Sequence, residues 1–131
     1  MLVESGTLAE HHRRCDELFA AARRAADLSL WGEIGARLNA LREAVLAHFD
    51  YEENHVFPLY EQSSGQEGAT GWLRSQHDDL RGGFWMLATR SAEADSEAFR
   101  AELAALQAAF DAHAAEEERR MYPVFERLLK A

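Results

Sequence analysis

Apolar positions recur along the chain at alternating steps of four and three residues, the spacing that places side chains on one face of a helix. The first such stripe reads Leu8, His12, Cys15, Phe19, Ala22 and Ala26, and the second Ile34, Leu38, Leu41, Val45, His48, Glu52, His55 and Leu59. A third runs through Leu73, His77, Leu80, Phe84, Leu87 and Ser91, and a fourth through Phe99, Leu103, Leu106, Phe110, His113, Glu117, Arg120 and Val124. Turn residues and caps set the limits. Ser5-Gly6-Thr7 opens the first helix, which is expected to run to about Asp27. Ser29 is placed to cap the second, which continues past His48 to about Glu61. Ser63-Ser64-Gly65-Gln66-Glu67-Gly68 reads as the middle loop. The third helix spans Thr70 to Ala92, and Asp95 or Ser96 caps a fourth that reaches Leu129. Short connections make successive helices antiparallel, so the pattern predicts one all-α domain over residues 1–131, an up-down-up-down four-helix bundle.

Composition supports this reading: alanine is abundant, only 2 of 131 residues are proline, and the strongest helix formers dominate. Pro58 and Pro123 fall near the ends of the second and fourth stripes, where each should kink or end its helix. A formal net charge of −9 repels phosphate backbones and argues against nucleic acid as a partner. No apolar run is long enough for a bilayer. The opening Met1–Gly6 lacks the basic segment and apolar core of a secretory signal, and the single Cys15 forms no internal disulfide. A cytoplasmic location is the default expectation, for a monomer or a homodimer.

The polar residues on the inward stripes change the picture. Shifting the chain by 65 residues sets His12 on His77, Phe19 on Phe84, Leu38 on Leu103 and Leu41 on Leu106. The same shift sets His48-x-x-x-Glu52-Glu53 on His113-x-x-x-Glu117-Glu118, and Phe57-Pro58 on Tyr122-Pro123. The bundle is therefore expected to be an internal repeat of two helical hairpins. His12 lies about 16 residues before the end of its helix and His48 about 18 after the start of the next, so at ~1.5 Å rise both sit roughly 24–27 Å from the turn between them. His77 and His113 have nearly the same depth in the other hairpin. Four imidazoles and two carboxylates are thus predicted to meet at one level of the core.

One buried His is ordinarily a satisfied polar group. Six such residues at one level, two of them carboxylates, call for more than a hydrogen-bonded network, because unpaired buried carboxylates are costly. His and Glu four apart offer a nitrogen and an oxygen from one helix face. Imidazole suits iron, zinc and copper, carboxylate can bridge two hard cations, and six donors exceed what one tetrahedral zinc needs.

These motifs, together with Glu10-His11-His12-Arg13-Arg14-Cys15-Asp16 and Ser75-Gln76-His77, resemble those of the hemerythrin-like family of HHE cation-binding domains over essentially the whole chain. The resemblance implies a non-haem pair of iron ions held by His12, His48, Glu52, His77, His113 and Glu117, with Glu52 and Glu117 as bridges. Oxygen-carrying members place two His four apart on the third helix; here Leu73 and Arg81 stand four residues to either side of His77. They also end the fourth-helix motif with Asp, where this chain has Glu117. Both differences set it apart from the oxygen carriers.

His55, three residues after Glu52, is a candidate for an additional metal contact or for an outer position. His11 is one step off the stripe and is assigned a surface or flanking role. Glu53 and Glu118 are read as solvated charges or acceptors beside the ligands, Cys15 as a small core residue, and Trp31, Trp72 and Trp85 as packing residues. Tyr51 or Tyr122 could donate to a bound small molecule. The expected function is a di-iron centre that binds or senses dioxygen, nitric oxide or peroxide, or stores iron. The alternatives are a di-iron enzyme (ferroxidase, peroxide-consuming, or an iron donor for cluster repair) and a metal-free interaction bundle.

Overall fold

The computed structural model describes residues 7–65, 68, 70–90, 92–124 and 127. These include α1 (Thr7–Asp27), α2 (Trp31–Tyr51), a π turn (Glu52–Val56), α3 (Phe57–Ser64), α4 (Gly71–Thr89) and α5 (Ser96–Arg120), with no strand among the described residues. The second helix, the π turn and α3 follow one another without a break, so the bundle has four rods. α1 packs on α2 and on α5, and α4 packs on α5 and on α2.

Connections differ in part from expectation. Ser29 does not cap α2; it closes α1. Its φ is 56°, its N–H donates to Ala26 O at 3.1 Å, and Leu30 N–H donates to Ala25 O at 2.8 Å. This pair of bonds satisfies the last carbonyls of α1 with a left-handed residue between them. Arg100 of α5 fixes the turn, donating to Ala26 O and to Ser29 Oγ at 3.0 and 3.1 Å. Asp95 does cap α5, accepting from Ala98 N–H at 3.4 Å. The second rod runs on to Ser64, three residues beyond Glu61, and ends at Gly65 in the left-handed region, φ 69°. Ser5 and Gly6 of the predicted helix start lie outside the described residues, as do Gln66 and Glu67 of the middle loop, Ser91, and Leu129.

Both prolines interrupt their helices, by different means. Pro58 has no N–H for the carbonyl four residues back, and its ring crowds that carbonyl. The chain widens just upstream: Phe57 N–H bonds Glu52 O, five residues back, which defines the π turn. Before Pro123, α5 instead ends at Arg120. Met121 N–H still reaches Glu117 O at 2.8 Å, and Val124 N–H turns to Met121 O at 3.0 Å.

Two apolar clusters fill the bundle. The larger includes Phe19, Leu41, Phe49, Phe84, Phe99 and Phe110; the smaller comprises Leu8, Val56, Phe57, Leu73 and Met121. Between them on every rod lies a polar layer: His12 between Leu8 and Cys15, Glu52 between Phe49 and Val56, His77 between Leu73 and Leu80, and Glu117 with His113 between Phe110 and Met121. Trp31 packs at the edge of the larger cluster, edge-on to Phe99. Trp72 and Trp85 do not serve as packing residues; both are exposed, because they fall a step off the inward stripe of α4.

Candidate metal centre

His12, His48, Glu52, His77, His113 and Glu117 are all buried, and the structure brings them together. Their donor atoms form two groups, each spanning no more than 4.8 Å. One is His12, His48, Glu52 and Glu117; the other is His77, His113, Glu52 and Glu117. Glu52 Oε1 lies 3.2 Å from His48 Nε2 of the first group and 3.2 Å from His77 Nε2 of the second. Glu117 Oε1 lies 2.7 Å from His113 Nε2 and 3.8 Å from His12 Nε2. Each carboxylate thus stands between one imidazole of either group.

Outward-facing nitrogens orient the four rings. His12 Nδ1 faces Glu118 Oε1 at 3.2 Å, His77 Nδ1 faces Glu53 Oε2 at 2.8 Å, and His113 Nδ1 faces Gln76 Oε1 at 2.6 Å. All three partners accept, so Nδ1 carries the proton and Nε2 of the neutral ring is left as a lone pair pointing inward. His48 Nδ1 meets His11 Nδ1 at 2.9 Å, and a neutral His11 can accept in the same way. Partners of this kind fix the tautomer and orientation of imidazoles that bind cations. The four contacts are also related by the 65-residue shift: His12–Glu118 corresponds to His77–Glu53, and His48–His11 to His113–Gln76.

The layer is short of protons. Both oxygens of Glu52, both of Glu117, and His48 Nε2 are buried with no aligned hydrogen-bond partner among the described residues. The N–O separations around them are short but poorly directed for hydrogen bonds. Burial alone would raise the Glu52 pKa, yet His48 and His77 outweigh it and hold the group down at about 2. Burial, then the neighbouring His77, drives His113 down to about 3, and burial also lowers His48. Anionic oxygens and proton-averse nitrogens facing one enclosed space are a donor set suited to cations.

A family model, the hemerythrin HHE cation binding domain, matches residues 4–125. The chain belongs to the hemerythrin HHE family. No curated protein and no solved structure matches it. The HHE assignment and the two His/Glu groups together fit a metal-binding role. Among the described residues no helix is long and apolar enough to cross a membrane.

Several neighbours of the HHE residues lie where sequence spacing alone would not put them. His55 is in neither donor group; its half-buried ring lies 5.4 Å from that of Tyr51. The π turn explains this, since the wider turn brings Val56 rather than His55 beneath Glu52. His11 flanks the layer as His48's outer partner, and Glu53 and Glu118 serve as acceptors. Gln76 was missed as the partner of His113; the 65-residue correspondence with His11 is the signal that points to it. Tyr122 Oη lies 3.2 Å from both ring nitrogens of His12, and burial, then Glu52 and Glu118, push its phenol pKa up. Cys15 is buried in the larger apolar cluster, outside both groups.

Proposed function

We propose that this HHE domain holds a carboxylate-bridged pair of non-haem iron ions, and through them binds or senses dioxygen, nitric oxide or peroxide, or stores iron. His12 and His48 would hold one ion, His77 and His113 the other, and Glu52 and Glu117 would bridge. One observation carries the reading: the two donor groups have both carboxylates in common. Two cations sharing two carboxylates relieve the cost of burying those charges, which one ion could not do from both sides.

Mixed imidazole and carboxylate donors without a thiolate suit iron. With two nitrogens and two oxygens offered to each ion, a six-coordinate ion keeps positions for a small ligand. Iron supplies the electrons and those open positions. The chain's own part is to keep the Nε2 lone pairs inward and to exclude bulk water with the apolar layers on either side. In this reading the protein works in the cytoplasm as a monomer or homodimer.

Metal analysis after anaerobic reconstitution with ferrous iron tests it, combined with absorption spectra in air and under nitric oxide. Two irons per chain and charge-transfer bands that change with nitric oxide are expected. One metal per chain, or a colourless zinc protein as isolated, would overturn the di-iron reading.

A further inference from the structure

We propose that the two cation positions are unequal: the one between His77 and His113 fills first and empties last, and Arg81 is the positioning residue that makes it so. The inference rests on the two-cation reading above and assigns an order within it.

The outer contacts of the two halves correspond in kind but not in rigidity. His77 Nδ1 is held at 2.8 Å by Glu53, and its ring is stacked on Phe49, with centroids 3.9 Å apart, and on Phe57 at 5.3 Å. Arg81 secures both sides of that arrangement. Its Nη2 donates to Glu53 Oε2 at 2.5 Å, and its guanidinium lies over the Phe49 ring at 5.5 Å. Asp78 at 2.9 Å and Asp50 at 3.5 Å balance the arginine's charge, so it orders Glu53 without cancelling the local negative field.

Among the described residues the other half lacks this clamp. Shifted by 65 residues, Arg81 corresponds to Asp16, an acid that cannot donate to Glu118. Asp16 instead lies against Asp111. The Glu118 side chain is 52% exposed, against 23% for Glu53, and reaches His12 at 3.2 Å. His12 Nδ1 divides its contact between Glu118 and the Tyr122 hydroxyl, also at 3.2 Å. A cation bound there must first order a solvent-exposed carboxylate and a ring with competing partners. At the His77 side that ordering is already present, and outer contacts of this kind change metal affinity by about 10–100-fold.

Titration of the anaerobic apoprotein with cobalt(II), followed by its visible absorption, tests the order. The wild type should fill in two steps at least about tenfold apart in affinity. Arg81→Met should weaken the first step by about tenfold or more and alter its spectrum, with partial recovery in Arg81→Lys. Glu118→Gln should weaken only the second step. Circular dichroism of each apoprotein checks folding, and Glu53→Gln serves in place of Arg81→Met if that variant does not fold. Two equal steps, or an Arg81→Met effect confined to the second, would overturn the order while leaving the two-cation reading intact. Binding of one cobalt or none would overturn both.

Discussion

The Nε2 atoms of His77 and His113 face each other at 2.9 Å, while both rings turn Nδ1 outward to an acceptor. In the neutral rings each Nε2 is a lone pair, and two lone pairs at that distance repel unless a proton or a cation lies against them. His113 resists the proton, because burial and His77 hold its pKa near 3. The pair therefore suits a cation placed between the two nitrogens.

On the two-cation proposal, His113→Ala and His48→Ala are expected to remove at least one of the two metals per chain. His11→Ala takes away only the outer partner of His48, so it should keep the stoichiometry and weaken affinity by roughly tenfold. Metal analysis after dialysis against a weak chelator distinguishes the cases. Full retention in His113→Ala would count against its place in the layer.

The apoprotein should lose stability in acid, beginning near pH 6.5. His48 and His113 have folded pKa values below the ordinary 6.5, so the unfolded chain binds more protons as pH falls through that value. Glu52, lowered from 4.5 to about 2, adds a second loss in the window between those values. Thermal unfolding of the metal-free protein at pH 7.5, 6 and 5 should give a falling Tm. A flat or rising series would show that these groups are not buried in their neutral and anionic forms.

Cys15 should be chemically silent in the native state. Burial, then the charge of Asp16, pushes its thiol up to about 12, which leaves almost no thiolate at pH 8. A disulfide reagent should modify no thiol in the folded protein and one per chain in denaturant. Rapid native modification would mean that the Cys15 face of α1 opens readily.

Gly83→Ala tests how much slack lies beside the polar layer. A methyl there would meet Leu106 Cδ1 at 2.8 Å, too close without movement. Leu106 also lines a cavity of about 310 Å³ between α4 and α5, bounded in part by Gln76 and His113, so its methyl group has room to swing away. The helix-propensity gain of roughly 0.5–1 kcal/mol should then win, raising Tm by a few degrees. A drop of that size or more would show that Leu106 is fixed, with the overpacking cost of about 1–3 kcal/mol in control.

Spacing in the sequence was enough to determine the four rods, the apolar stripes and the level at which His12, His48, Glu52, His77, His113 and Glu117 converge. Helical periodicity and a 65-residue correspondence are local or translational properties, and a linear string carries both. Only the tertiary structure decided what depends on the rotation of a rod or on a neighbour distant in sequence. It sent His55 out of the layer through the π turn before Pro58, and gave Ser29 to the end of α1. It also chose Glu118, Glu53, Gln76 and His11 as the outer partners of the four rings. Those choices depend on where one helix stands against the next, because a hydrogen bond across the bundle is settled within tenths of an ångström, far below what residue spacing can specify.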